Sequence, residues 1–311
     1  MVVEAPDHFQ AKSRHALFKT IFATGALLVA APLSAAPMEV LPSGHPIAEV
    51  ALDGSKPLRF IIDTAASSTS ILPCLRAAMP SSMFASGSQN LDGAAGKTQI
   101  ETLTLKRLTV DGRTFDGLTA FALPPSPVDE LGVDGVLGAD VIARFAVEMD
   151  MPGRVWRMTD APTEAMLKGM LPPVPITLDE ALTPRLTVHL DGTEIPAILD
   201  TGAKGTIMNW AAARLLGLTP DSPGVIKAST VKGVTTHGTA SVTNTFRELR
   251  IGQASRPQVT LRIADLPVFT ALGFAEGQPA LILGIDILAD RRFVIDHPGK
   301  RLFLSKTTGG S

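Results

Sequence analysis

One ten-residue phrase occurs twice in this chain, and it constrains the fold more than any other feature. Phe60-Ile-Ile-Asp-Thr-Ala-Ala-Ser-Ser-Thr69 returns as Ala197-Ile-Leu-Asp-Thr-Gly-Ala-Lys-Gly-Thr206. Each copy is an apolar run closed by Asp-Thr, followed by two tiny residues and a further Thr. A repeat of this kind points to two structural copies of one unit. A fold that sets the copies face to face brings Asp63 and Asp200 into one cleft. Two carboxyls at close range repel, so they ionise one at a time.

The repeat extends on both sides of the aspartates. Ala48–Gly54 and Leu186–Gly192 are alternating runs broken by Asp-Gly, each predicting a strand, a tight turn and a second strand that ends at the aspartate. Downstream, Val136-Leu-Gly-Ala-Asp140 is echoed by Ile282-Leu-Gly-Ile-Asp286. Twelve residues separate Gly138 from Asp150, and twelve separate Gly284 from Asp296. Met151-Pro-Gly-Arg154 then matches His297-Pro-Gly-Lys300, and each Pro-Gly turn leads into a final strand, Val155–Met158 and Arg301–Leu304. The two glycines lie nine residues further apart than the two aspartates, so the second half carries extra loop between its motifs.

On these residues the chain resembles the bacterial retropepsin-like aspartyl proteases, with two fused lobes in one polypeptide in place of a viral-type homodimer. The family's marks are an Asp-Thr-Gly-Ala turn and a later apolar-apolar-Gly segment, and the match covers nearly all of the chain after roughly residue 45. The resemblance implies an all-β fold of two homologous barrel lobes with short helices. It implies that Asp63 and Asp200 share a proton and hold a water between them, one acting as base while the other donates to the scissile carbonyl. The two roles stay unassigned between the aspartates. No covalent intermediate, cofactor or metal is implied, and the partner is a peptide or protein substrate.

By the same resemblance, Thr64 and Thr201 brace the two loops against each other, and Gly138 and Gly284 let a strand pass closely behind each active-site turn. Gly202 allows the backbone near a substrate, but lobe one has Ala65 at that place, a departure from the pattern. Two functional readings therefore stand: an active aspartic endopeptidase, and a peptide-binding module that keeps the cleft while its chemistry has lapsed. Flaps over the cleft are expected at Leu91–Thr98, with Gly93 and Gly96, and at Val231–Gly238, with Gly233 and Gly238. The chain has no tyrosine, which favours the retropepsin-like comparison over a pepsin-like one. Pairing of lobes within one chain predicts a monomer; pairing of each lobe with its equivalent in a second chain is the alternative.

Residues 11–19 hold Lys12, Arg14, His15 and Lys19, and an apolar stretch from Ile21 to Ala31 precedes Pro-Leu-Ser-Ala-Ala. This predicts a signal peptide over 1–36, cleaved after Ala35 or Ala36, and export to the periplasm. An uncleaved inner-membrane anchor is the alternative, although the stretch is shorter than the roughly 20 residues that span a bilayer. Lobe one is then expected over 37–158, a Pro-rich linker over 159–180 and lobe two over 181–311.

A net charge of −2 with no basic stripe excludes nucleic acid as a partner. The one cysteine, Cys74, cannot form an internal disulfide and is expected as a small buried side chain. The histidines at 8, 15, 45, 189, 237 and 297 lie at no metal-ligand spacing. A phosphate loop ending at Gly96-Lys-Thr98 needs glycine where Leu91 stands, and no Gly-x-Ser-x-Gly elbow occurs.

Overall fold

Twenty-two strands and five short α-helices occupy the chain from Ala36 to Leu304 in the computed structural model, which describes residues 35–80, 84–93, 96–231 and 239–306, with 84–93 and 96–99 described by their backbone alone. In chain order the first half carries β1 (Ala36–Pro37), β2 (Glu39–Val40), β3 (Pro46–Leu52), β4 (Leu58–Ile62), β5 (Ser70–Ile71), α1 (Pro73–Ala78), β6 (Phe84–Gly93), β7 (Gly96–Val110), β8 (Arg113–Ala122), β9 (Gly135–Leu137), α2 (Ala139–Ile142), β10 (Ala146–Asp150) and β11 (Val155–Thr159). Then come α3 (Glu164–Leu167) and β12 (Val174–Pro175). The second half carries β13 (Thr177–Leu178), β14 (Pro184–Leu190), β15 (Thr193–Leu199), β16 (Ile207–Met208), α4 (Trp210–Leu215), β17 (Ile226–Val231), β18 (Thr239–Ile251), β19 (Ala254–Ile263), α5 (Val268–Ala271), β20 (Leu281–Leu283), β21 (Arg292–Asp296) and β22 (Arg301–Leu304).

The two halves have the same topology. Lobe one is an eight-stranded sheet in the order β2-β3-β4-β9-β5-β8-β7-β6, closed by a β3–β7 pairing. Lobe two follows β13-β14-β15-β20-β16-β19-β18-β17, closed by β14–β18. The duplication expected from the repeat is thus present strand for strand. Asp-Gly makes the corresponding turns by accepting positive φ: 50° and 78° at Asp53 and Gly54, 50° and 88° at Asp191 and Gly192.

Strand burial explains why the aspartates sit where they do. β14 alternates buried with partly or fully exposed positions, as a strand with one wet face should. The last three residues of β4 and of β15 are instead all buried, because these strands run through the middle of each sheet. β4 pairs in parallel with β9, and β15 with β20, so Ile62 faces Leu137 and Leu199 faces Leu283. Asp63 and Asp200 emerge where those central strands end.

A third sheet joins the lobes. Its order is β1-β11-β10-β21-β22-β12, and its centre is the antiparallel pair β10–β21, with Ala146 opposite Asp296 and Asp150 opposite Arg292. One face carries Met149, Trp156, Met158, Phe293, Ile295 and Leu304 into a core shared by both lobes. On the other face Met166 of α3 packs with Ala146, Val294 and Phe303. The buried Glu148 carboxylate there is held by Arg157 Nε at 2.5 Å and by the Arg292 guanidinium at 2.7 Å. The segment 159–180 therefore supplies α3 as a cover and β12 as an edge strand, in addition to spanning the lobes.

Cys74 corrects one expectation. It lies exposed on α1, its Sγ 3.6 Å from the Val133 carbonyl, because Pro73 starts a helix that has no buried residue. Among the described residues no helix is long and apolar enough to cross a membrane. The stretch from Ile21 to Ala31 lies outside the described residues.

His297 ties the lobes together as a neutral group. Its Nδ1 lies 2.9 Å from the Phe145 carbonyl, and its Nε2 is buried without a hydrogen-bond partner. Burial pushes its pKa down to about 4, against the opposing pull of the Phe145 bond and the Asp296 charge. A folded pKa below the unfolded value means that the unfolded chain binds the proton first as pH falls. The stabilisation is complete above about 6.5 and is lost towards about 4, to a total of about 3 kcal/mol. The buried aspartates with raised pKa act with the opposite sign, so the variant comparison isolates the histidine. Denaturant titrations from pH 7 to 4.5 should show wild-type stability falling more steeply than that of His297→Gln; parallel slopes would contradict this assignment.

Candidate active site

The site begins with two turns that grip each other. The Thr64 hydroxyl donates to the Leu199 carbonyl at 2.7 Å, and the Thr201 hydroxyl donates to the Ile62 carbonyl at 2.7 Å. Each hydroxyl also accepts the other turn's backbone N–H, Thr64 N and Thr201 N, at 3.1 Å in both cases. Both side chains are fully buried. Four hydrogen bonds related by an approximate two-fold axis thus cross between the lobes, where breaking one strands a buried polar group at a cost of about 1–3 kcal/mol.

Each turn is also tied to the chain behind it. Asp63 N donates to Leu137 O at 3.1 Å, and Asp200 N to Leu283 O at 3.0 Å. Ala139 N reaches Ala66 O at 2.8 Å, and Ile285 N reaches Ala203 O at 2.9 Å. Gly138 and Gly284 stand at these crossings. A β-carbon at Gly138 would lie 2.5 Å from the Ser68 carbonyl carbon, and one at Gly284 would lie 2.7 Å from that of Gly205. Both neighbours are backbone, so only glycine lets the strand pass.

Two residues that the sequence reading did not single out complete this lock. Asp140 Oδ1 accepts from the Thr69 hydroxyl at 2.8 Å and from Thr69 N at 2.9 Å. Asp286 accepts from the Thr206 hydroxyl at 2.7 Å and from Thr206 N at 3.0 Å. The same hydroxyls take the N–H of Gly138 and of Gly284. The available signal was the repeated Gly-x-Asp ending, together with the Thr that closes each copy of the phrase.

The carboxyls of Asp63 and Asp200 meet and act on each other through a hydrogen bond. Asp63 Oδ1 accepts from Ala65 N at 2.8 Å and Ala66 N at 3.0 Å. Asp200 Oδ1 accepts from Gly202 N at 3.0 Å. Burial is the largest influence on both and raises both above the ordinary aspartate range. The Asp63 charge raises Asp200 further, and the backbone N–H groups work against burial in each case. Two carboxyls that act on each other in this way ionise in two steps, one after the other.

Gly202 is needed for space. A β-carbon there would fall 2.2 Å from Asp63 Oδ2. It is not among the glycines with positive φ, and Ala65 is not among the other residues with positive φ. The Ala65 methyl is accommodated, packed against an apolar cluster of lobe two that includes Ile198, Phe269 and Ile282. The departure at Ala65 therefore leaves the two carboxyls together. Of the flap candidates, Gly93 and Gly96 face each other as the last pair of the β6–β7 hairpin. Gly233 and Gly238 lie outside the described residues.

Two measurements check this geometry. Gly202→Ala should lower unfolding free energy by about 1–3 kcal/mol, the usual cost of overpacking, while Ala65→Gly should change it by less than about 1 kcal/mol; equal effects would contradict the asymmetry. In a double-mutant cycle, Thr64→Val and Thr201→Val should each destabilise by about 2 kcal/mol or more and together by clearly less than their sum. Strict additivity would show that the two hydroxyls do not form one network.

A family model described as aspartyl protease matches residues 48–141 and again residues 186–287. No curated protein matches the chain. Among solved structures, the chain is similar to the crystal structure of a retropepsin-like aspartic protease from Rickettsia conorii, at 16% identity over 43% of this chain and 91% of that one. The TM-score of that pair is 0.33, too low to bear on fold or function. The two family matches cover both repeats, each with its Asp-Thr turn and its apolar-apolar-Gly segment. The chain belongs to the aspartyl protease family and carries two copies of the family's lobe in one polypeptide.

Proposed function

We propose that the chain is an exported aspartic endopeptidase that hydrolyses internal bonds of peptide or protein substrates with a water activated between Asp63 and Asp200. The observation that carries this reading is the direct meeting of the two buried carboxyls on turns locked by the reciprocal Thr64–Thr201 bonds. With one proton on the pair, the ionised carboxyl takes a proton from water as the water oxygen attacks the scissile carbonyl carbon. The protonated carboxyl donates to the carbonyl oxygen. The tetrahedral intermediate then collapses: the C–N bond breaks as the leaving nitrogen accepts a proton from one carboxyl, a hydroxyl of the gem-diol returns its proton to the other, and one proton again remains between the carboxyls. Thr64, Thr201, Gly202, Gly138 and Gly284 hold this geometry without touching the reacting atoms, and the β6–β7 hairpin with Gly93 and Gly96 is the covering flap of lobe one.

Export is supported by the order of features along the chain: the charged segment 11–19 and the apolar stretch 21–31 both precede β1, the first strand among the described residues. Pairing of Asp63 with Asp200 inside one chain supports a monomer as the active species.

The test is incubation of the protein with a mixed peptide library between about pH 4 and 7.5, beside its Asp63→Asn and Asp200→Asn variants, read by mass spectrometry. Each variant should lose at least about a thousandfold in turnover, since neither amide can act as base or pass a proton on. Because both carboxyls titrate above the ordinary aspartate range, activity should fall on both sides of an optimum that lies above that range. Intact peptides from the folded wild-type protein would replace this reading with the peptide-binding module.

A further inference from the structure

Gly202 touches both members of the pair. Its N–H donates to Asp200 Oδ1 at 3.0 Å, and its Cα lies so close to Asp63 that no β-carbon fits. The next N–H, that of Ala203, turns back on Asp200: it lies 3.2 Å from the backbone oxygen and also favours the ionised carboxyl. That N–H belongs to the same planar peptide as the Gly202 carbonyl, so a group that fixes the carbonyl also fixes the N–H.

The group that reaches the carbonyl comes from the other lobe. His45 Nε2 lies 3.0 Å from Gly202 O, and on the far side of the ring the Ser43 hydroxyl lies 2.7 Å from Nδ1. A carbonyl only accepts, so Nε2 carries the hydrogen, and Nδ1 of the neutral ring accepts from Ser43. The ring is 6% exposed. Burial lowers its pKa, the Gly202 bond opposes that, and the Lys204 charge lowers it again. Among the described residues the charge that acts on it is that of Lys204.

The chain before His45 holds the ring in place. Residues 41–45 form the turn between β2 and β3, where Gly44 N donates to Leu41 O at 2.8 Å and Leu41 N to His45 O at 3.0 Å. Gly44 has φ of 92°, and a β-carbon there would lie 3.3 Å from Ile285 Cγ2, so the turn presses on the segment behind the lobe-two active turn. The matching turn of lobe two, between β13 and β14, places Thr183 before Pro184 where lobe one has His45 before Pro46. The Thr183 hydroxyl is buried without a hydrogen-bond partner. The histidine bridge is thus a one-sided feature of the site.

We propose that His45 is a positioning residue for the pair, holding the Gly202–Ala203 peptide so that the Ala203 N–H faces Asp200 as the Ala66 N–H faces Asp63. It reaches the reacting atoms only through Gly202. Its kinetic consequence rests on the proteolytic reading; its electrostatic consequence does not.

The experiment compares the full chain with His45→Ala and His45→Gln, whose amide keeps a donor for the Gly202 carbonyl. Carboxyl titration by NMR on aspartate-labelled protein should show the higher apparent pKa of the pair rising by about 0.5–1 unit in His45→Ala, the effect of one lost hydrogen bond, and returning in His45→Gln. On a cleaved peptide, kcat should fall about 10–100-fold in His45→Ala with KM changed less than about threefold, and His45→Gln should recover most of it. An unchanged titration in folded His45→Ala overturns the proposal. If the alanine variant does not fold, a folded His45→Gln protein whose pair titrates as in wild type supports the proposal, and one whose pair does not overturns it. Failure of the wild type to cut any peptide counts against the protease reading alone, because the titration needs no substrate and still decides the role of His45.

Discussion

Two carboxyls buried side by side repel each other, and the surrounding architecture holds them together against that repulsion. The tie is the exchange of four hydrogen bonds between Thr64 and Thr201, all inside the protein and all crossing between lobes. In a wet site such bonds would be worth little; here each replaces a group that would otherwise be buried unpaired. Behind the grip, Thr69 with Asp140 and Thr206 with Asp286 fasten each turn to its own lobe. The glycines at 138 and 284 let that fastening come close. The shared six-stranded sheet then fixes the lobes to each other at a distance from the cleft, so that the turns meet in one arrangement.

Duplication gives this site its symmetry, and small departures break it. Gly202 against Ala65, Lys204 against Ser67 and His45 against Thr183 all fall on or beside the two active turns. A symmetric pair of aspartates has no reason to place its proton on one member. Peptide hydrolysis needs a base and an acid at the same moment, and unequal surroundings supply the distinction without moving the carboxyls apart. Lobe two carries its extra chain in 209–225 and 264–280, and the second of these holds α5, Phe269 and Phe274 in the cluster on which Ala65 packs.

Much of this was legible in the sequence, because it was written twice. A single Asp-Thr after an apolar run is an ordinary strand end; its return in register with Leu-Gly and Pro-Gly identified β4 and β15, β9 and β20, β11 and β22 before any coordinates. The sheet between the lobes was not legible in the same way. Its final strands could be read from Val155 and Arg301, but nothing local says that β10 pairs with β21, and two-residue strands such as β1 and β12 leave no pattern. Asp140 and Asp286 were hidden because an acidic residue after glycine reads equally well as a helix start. Cys74 was misread because an apolar strand precedes it, although Pro73 turns the chain outward. His45 was hidden because its partner is a backbone carbonyl 157 residues away, a group that every residue carries.

The central claim is that Asp63 and Asp200 share one proton inside a single chain, and proton counting tests it most directly. A potentiometric difference titration of the wild type against the Asp63→Asn/Asp200→Asn double variant measures the protons held by the pair alone. The account predicts that one proton is still bound near pH 5.5, where ordinary carboxyls have released theirs, and leaves only at higher pH. Release of both protons in the ordinary carboxylate range, below about pH 5, would mean that the two aspartates do not meet, and would contradict the account.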